Sequence, residues 1–281
     1  HFRLGLFIAR SRYIQEFNKH PGKTFTVSHN KYSCFTAPES KMLVGFHSKR
    51  NKPLKKNSEV IQNFSKPPAF LDWREKGVVN PVNEQGNCES SWAISVASTC
   101  ESSFAIRKGT LFTFSVQNLI DCVTSESGCD GGSPEPAFEY VLKNQDGQFM
   151  SEIDYPYKGI QGNCLFDSEK TVGKINSFLI GTGVESDLIS CIGYFGPFSA
   201  KMNADSSSFL LYSGGIYQDD SCSFWSADHS VTCVGYGNEN DINYWIVKNS
   251  WGTSWGEEGY FRIVRGKYLC GFELETIFAV I

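Results

Sequence analysis

Beyond residue 67 the chain has a single histidine, His229, so any imidazole acid–base chemistry in that part must run through it. Its candidate partners stand far away in sequence. In EQGNCESSWAIS (Glu84 to Ser95) a glycine-containing loop and Cys88 lead into Trp92, Ala93 and Ile94, and this stretch supplies Gln85 and Ser91. NSWGTSWGEEGY supplies Asn249. A hydroxyl, an imidazole and two carboxamides are groups that could serve acid–base or nucleophilic chemistry if the fold brings them together. A lone strand histidine is more often structural than catalytic, and here it is the partners that argue for chemistry. Yet no cysteine stands where a thiol nucleophile would be wanted, which raises the question whether Ser91 attacks anything.

The elements that must position these residues follow from periodicity. Trp92, Val96, Cys100 and Phe104 form one stripe at four-residue steps, predicting a helix that opens near Ser91 and is capped by Gly109. Leu6, Phe7, Tyr13, Ile14 and Phe17 predict an earlier helix over Arg3 to His20, stopped by Pro21 and Gly22. From Lys41 to Pro67 the chain reads as an extended linker. A mostly helical stretch runs to about Asn176, and HSVTCVGYG, NYWIVKNSW and GYFRIVRG then read as short strands. Helices first and strands later predict an α+β protein of two packed halves, with a cleft between them as the place for a site.

Length and composition, 281 residues with 41% hydrophobic and 20% charged, fit a globular chain with a sizeable core. No apolar run approaches the roughly 18 residues of a membrane span. His1 is not an initiator methionine, so a signal segment is expected outside this sequence. The net charge of −4 hides an asymmetry: residues 1–67 hold 13 Lys and Arg against 3 Asp and Glu, net +10, and the rest 13 against 27, net −14. The basic arm is expected to lie against the acidic body. SKRNKPLKK (Ser48 to Lys56) would alternatively suit nucleic acid or an acidic membrane, but no aromatic interleaving or nucleic-acid motif accompanies it. Ten cysteines clustered near glycine-rich turns, with no CxxC pair, point to disulfides rather than zinc, and Asn63 in NFS is a glycosylation candidate. A secreted, vacuolar or lysosomal monomer is expected, without cofactor, metal or nucleic acid.

Five ordered stretches carry a resemblance: DWREKGVVNPVNEQGNC, GCDGGSP, DYPY, DHSVTCVGYG and YWIVKNSWGTSWGEEGYFRI. Together they resemble a papain-like cysteine peptidase of the cathepsin L type, in its proform. The resemblance implies a two-lobed fold, with an inhibitory pro-region and linker over 1–67 lying in the cleft, a mainly helical lobe over 68–177 and a mainly β, barrel-like lobe over 178–281. It implies His229 as base and acid, Asn249 as its orienter, Trp251 as its shield, and Gln85 with the Ser91 backbone N–H as oxyanion donors. It also implies the disulfides Cys88–Cys129, Cys122–Cys164 and Cys222–Cys270, leaving Cys34, Cys100, Cys191 and Cys233. Gly131, Gly132 and Ser133 would form the glycine loop. Pro134, Ala227 and Ser230 would form the second subsite, with Lys201 and Glu275 facing it; a one-residue slip would instead send Lys201 to solvent. In the arm Arg3, Phe7, Ile14 and Asn18 match the signature helix, with Arg10 in place of an asparagine. Asn30 and Tyr32 match the second pro-region motif, with Cys34 in place of an aspartate. The family's first pro-region helix falls outside this sequence.

The pattern breaks at the nucleophile. Where the family has cysteine, glycine, serine and the catalytic cysteine, this chain has Cys88, Glu89, Ser90 and Ser91. A thiol is activated by the helix N-terminus and an imidazolium into a thiolate, and a hydroxyl is not. Ser91 could instead be a helix-capping side chain, and Glu89 would crowd the first subsite with a negative charge. The expectation is a pseudopeptidase that binds a peptide or protein ligand. The alternatives are an ordinary zymogen trapped by an engineered serine, and a serine-dependent hydrolase on the same fold.

Overall fold

The structure is a computed structural model that describes residues 1–44, 67–181, 183–223 and 225–281; Asn63 and the SKRNKPLKK run lie outside the described residues. Helix α1 (Phe2–Lys19) ends ahead of Pro21. Its apolar stripe is used only at one end. Phe17 is buried and Tyr13 and Ile14 pack beside it, whereas Phe7 stacks on His29 at 4.1 Å and stays 41% exposed. The chain then returns as β1 (Phe25–Val27), fastened to α1 by the Asn18 carboxamide, which donates to the Val27 carbonyl at 2.8 Å and accepts the Val27 N–H at 3.1 Å. A capping box between Thr36 and Glu39 starts the short α2 (Ala37–Lys41), where the sequence suggested the linker begins.

The body runs β2 (Leu71–Asp72), α3 (Ser91–Lys108), α4 (Val116–Cys122), α5 (Pro134–Asn144), β3 (Gln148–Met150), β4 (Thr171–Lys174), β5 (Ser177–Ile180), α6 (Glu185–Phe195), β6 (Phe198–Met202), α7 (Ser207–Leu210), β7 (Tyr212–Tyr217), β8 (His229–Glu239), β9 (Ile242–Lys248), β10 (Tyr260–Val264) and β11 (Thr276–Val280). The main sheet has the order β1-β7-β10-β9-β8-β6-β11-β5, antiparallel except where β10 meets β7. β2 joins it on β8. Only glycine allows that approach, because a Cβ on Gly235 would stand 2.2 Å from the Leu71 carbonyl oxygen.

Two apolar cores result, one under α3, α4 and α5 and one within the β lobe, and the arm's Phe17, Phe25, Val27, Tyr32 and Leu43 belong to the second. β11 serves both: Phe278 points into the β-lobe core, and Ile277 and Ala279 into the helical one. The lobes are therefore not consecutive halves of the chain. Leu71 and Asp72, grouped by sequence with residues 68–177, pair with the β lobe, and the stretch before Asn176 contains the antiparallel pair β3 and β4 as well as helices.

Between the lobes lies α3, apolar on one side and hydroxyl-rich on the other. Trp92, Val96 and Cys100 enter the helical core. Facing the strands, Ser95 Oγ meets Ser199 Oγ at 2.9 Å, and Lys248 Nζ donates to Ser98 Oγ at 3.4 Å. Burial raises the Glu101 carboxyl pKa and lowers that of Lys248, while the attraction between these two charges opposes both shifts.

Candidate active site

Ser91 is the first residue of α3, and neither it nor Ser90 caps the helix with its side chain. The Ser91 hydroxyl instead accepts the Ser230 N–H from β8 at 3.3 Å, which ties the helix start to the opposite lobe. Ser90 Oγ bonds Tyr157 Oη at 2.8 Å, and Tyr157 donates to the Gln85 carbonyl at 2.7 Å. The second tyrosine of DYPY thus braces the loop that leads into the helix, a role that sequence reading gave to no residue.

The same loop is held from below. Cys88 is bonded to Cys129, and the Glu89 N–H donates to the Cys129 carbonyl at 2.9 Å. Glu89 itself is partly buried. Gly131 has φ +104°, and Gly132 lies against the Trp92 indole, where a Cβ would stand 2.7 Å from the ring. Ser133 and Pro134 then open α5. The other bonded pairs are Cys122–Cys164 and Cys222–Cys270. Cys34 is a half-buried free thiol; Cys100, Cys191 and Cys233 are buried, and burial raises the pKa of all three, that of Cys191 to about 12.

Across the cleft, β8 begins with His229, which is fully buried. His229 Nε2 lies 2.8 Å from Asn249 Oδ1. Because that oxygen can only accept, Nε2 carries the proton and Nδ1 keeps its lone pair, the tautomer a base requires. Nδ1 is buried with no hydrogen-bond partner, so the Ser91 hydroxyl is not engaged by the imidazole. Burial lowers the His229 pKa to about 4 against the opposing Asn249 bond, leaving the ring neutral at neutral pH. The Trp251 ring lies 5.1 Å from the imidazole and is itself buried.

Gln85 is gripped through its oxygen, which accepts from Ser250 Oγ at 2.6 Å. That fixes its amide outward. Gln85 Nε2 donates to the Cys88 and Leu43 carbonyls, each at 3.2 Å, and Trp251 Nε1 donates to the same Leu43 carbonyl at 3.2 Å. An arm carbonyl therefore takes the Gln85 amide, one of the two donors that an oxyanion would need. Sequence reading missed Leu43, since a backbone acceptor leaves no side-chain signal.

Further contacts seat the arm. β1 extends the sheet beside β7, Asn30 Nδ2 donates to the Leu210 carbonyl at 2.8 Å, Tyr32 Oη to the Trp251 carbonyl at 3.2 Å, and Arg10 to Ser207 Oγ at 2.6 Å. Lys31 forms an ion pair with Glu84. Among the described residues, docking is thus mainly apolar packing and strand pairing, with charge attraction a smaller part than the +10 and −14 suggested. The pair is partly exposed, and such pairs contribute about 0–1 kcal/mol.

Lys201 lies opposite Ser230 in the β6–β8 register and on the same face as Ser199, which touches α3. It is buried rather than sent to solvent, with Nζ 2.6 Å from Glu275 Oε2. Ala227 is half-buried just ahead of β8. Beside it burial raises the Asp228 pKa to about 7, against N–H donation from Ala204. No group of three or more His, Cys, Asp or Glu able to hold a metal occurs among the described residues, and none of their helices is long and apolar enough to cross a membrane.

A two-lobed α+β body, an imidazole–carboxamide pair across a cleft from a helix start, and an arm carbonyl on the Gln85 amide define a class of protein. The pattern of the Papain family cysteine protease matches residues 67–280, and the chain belongs to this family. Pro-cathepsin H of Mus musculus is 37% identical over 275 residues, 96% of this chain and 81% of that protein. A cathepsin L-like proteinase of Phaedon cochleariae is 37% identical, over 96% of this chain and 84% of its own. The structure of digestive procathepsin L2 proteinase from Tenebrio molitor larval midgut superposes with TM-score 0.92 at 34% identity, covering 100% of this chain and 92% of that one. The proform of the ragweed pollen cysteine protease Amb a 11 gives 0.91 at 34% identity, covering 100% and 87%. Within the family the chain is a cathepsin L-like proform with a papain-like fold and its pro-region in the cleft.

Proposed function

We propose that this proform has lost its catalytic chemistry, or retains only a trace of it, and acts by binding. The observation that carries this reading is Ser91 at the nucleophile position with its hydroxyl accepting the Ser230 N–H and forming no hydrogen bond with His229 Nδ1. A serine here has to be deprotonated by a base whose orienter, Asn249, is neutral. In the chymotrypsin-type serine triad the change from carboxylate to amide lowers turnover about 10⁴-fold. Glu89, two residues before Ser91, puts a carboxylate near the nucleophile position in sequence, and a carboxylate beside it would disfavour an attacking anion.

The reading assigns Gln85, His229, Asn249 and Trp251 their family roles, and Gly131, Gly132, Ser133, Pro134, Lys201, Ala227, Ser230 and Glu275 to ligand contact. Three disulfides favour the secretory pathway, whether secreted, vacuolar or lysosomal. One observation favours a second reading, an ordinary zymogen carrying an engineered serine: the Gln85–Ser250 and His229–Asn249 bonds are all formed, as a working site would need. The native codon at position 91 separates the two. The proposal is tested on chain freed of residues 1–67 by a helper protease, offered a dipeptidyl fluorogenic substrate and, separately, a fluorophosphonate. No turnover and no label at Ser91 are expected. Cathepsin-like turnover would end the proposal, and labelling lost in His229→Ala would replace it with a serine hydrolase.

A further inference from the structure

The seated arm shows what one part of the cleft accepts. Over three consecutive residues its side chains bring only donors to the body: Asn30 Nδ2 to the Leu210 carbonyl at 2.8 Å, Lys31 Nζ to the Glu84 carboxylate, and Tyr32 Oη to the Trp251 carbonyl at 3.2 Å. The body answers with acceptors alone. Each acceptor is reached by an arm side chain, so each is open to another ligand once the arm leaves.

Glu84 is the charged acceptor, and its backbone is fixed from both sides. The Gln85 N–H donates to the Ser250 carbonyl at 2.9 Å and the Gly252 N–H to the Asn83 carbonyl at 3.0 Å, which pairs residues 83–85 with 250–252. The carboxylate rests over Gly252, whose φ of +73° and missing side chain make the room. A Cβ there would collide with Glu84 Oε2 and stand 3.2 Å from Lys31 Nζ. Even beneath the arm the Glu84 side chain is 50% exposed, and Lys31 is its one ion-pair partner among the described residues. Gln85, next in the chain, carries the amide that holds the Leu43 carbonyl at 3.2 Å, so a cation and a ligand carbonyl are received by adjacent residues.

The geometry points to a subsite at Glu84 for a lysine or arginine side chain of the ligand, with the Trp251 carbonyl beside it taking a neighbouring donor. The inference rests on the reading of the cleft as a binding site and adds which ligands it selects, namely cationic segments of a peptide or protein. A glutamine would bring a donor without charge, and a glutamate would set acceptors against acceptors. The net charge of −14 on residues 68–281 biases encounter in the same direction. Because the carboxylate is half exposed, the preference for lysine over glutamine is limited to about three- to fivefold.

The test uses the full chain, in which the arm and an added peptide compete for Glu84. A peptide that binds the opened cleft multiplies the open population by one plus the ratio of its concentration to its Kd, so arm exchange rates report that Kd directly. The reporters are the Ser28 N–H, bonded to the Leu211 carbonyl, and the Ile216 N–H, bonded to the Thr24 carbonyl. The probes are the capped hexapeptide Ala-Ala-Lys-Tyr-Ala-Ala and its counterparts with glutamine or glutamate in place of lysine. The lysine peptide should bind about three- to fivefold more tightly than the glutamine peptide and the glutamate peptide more weakly than either, and in Glu84→Gln the lysine preference should vanish. Without peptide, Lys31→Glu should speed both reporters and Lys31→Arg should not. Equal Kd values for the lysine and glutamine peptides, a lysine preference that survives Glu84→Gln, or no acceleration by the lysine peptide would each overturn the subsite. The peptide comparison on unaltered chain stands even if a variant does not fold. Cleavage of a peptide during incubation, read by mass, would instead end the reading of the site as catalytically silent and leave the subsite to be judged by the Kd values.

Discussion

If the arm is seated by packing, removing one ring should loosen it while leaving the body intact. Phe25 is the ring to remove. It is 3% exposed, with centroids 4.9 Å from Phe17, 4.7 Å from Tyr217 and 6.3 Å from Tyr212, so it joins α1 to β7. Truncating such a phenylalanine to alanine costs about 3–5 kcal/mol. Were the arm to open as its own unit, that loss would fall on the opening step and raise its population by about two to three and a half orders of magnitude, at about 1.4 kcal/mol per tenfold. Amide hydrogen exchange reads this directly. The Ser28 and Ile216 N–H groups, bonded to the Leu211 and Thr24 carbonyls at 2.8 Å, should exchange at least about 10² times faster in Phe25→Ala. The Ile94 and Gly109 amides, which bond within α3 and at its cap, should hold their rates. Equal acceleration at all four sites would mean that arm and body open together, and no acceleration would mean that the arm is held elsewhere; either result refutes the reasoning.

Acid should weaken the fold through His229. Its folded pKa is about 4 against about 6.5 when unfolded, so its contribution is complete above that higher value and is lost as pH falls toward 4, about 3 kcal/mol in all. Asp228, raised to about 7, acts with the opposite sign, so the assay is denaturant stability against pH in the wild type and in His229→Gln, whose difference should shrink between pH 6.5 and 4. Gly132→Ala should lower stability by about 1–3 kcal/mol, because its Cβ meets the Trp92 ring, and thermal melting will show it. Lys201→Met should leave the melting temperature unchanged or raise it, since a buried ammonium is replaced by an apolar chain of similar length and the half-exposed Glu275 can be solvated. Glu275→Gln, which takes the carboxylate away from that ammonium, should lower stability by about 1–3 kcal/mol.

What the sequence disclosed were features encoded locally. The stripe from Trp92 to Phe104, the Gly109 stop and the strand runs near His229 and Asn249 each carry their own periodicity, and observed elements lie at those places. What it concealed depended on pairing over long separations. That Phe25–Val27 would add a strand beside β7 cannot be read from three residues, and the alternation of Ile277, Phe278 and Ala279 between two cores needs both lobes in place. Among the described residues the +10 and −14 asymmetry overstates charge, because net charge says nothing of which side chains meet; Arg3, for example, spends its charge on Glu39 within the arm. Tyr157 and Leu43 act through a phenol and a carbonyl whose targets lie 67 or more and 42 residues away.

The central claim is that the site lacks an effective nucleophile while its other parts are in place. The most direct measurement is kcat/KM toward a dipeptidyl fluorogenic substrate for arm-free wild type, Ser91→Cys, and Ser91→Cys with Glu89→Gly. No measurable turnover is expected for the wild type, little for the single change, and recovery by at least about 10⁴-fold in the double variant, the two neighbouring changes acting non-additively. Family-like turnover by the wild type, or a double variant as inactive as the wild type, would contradict it.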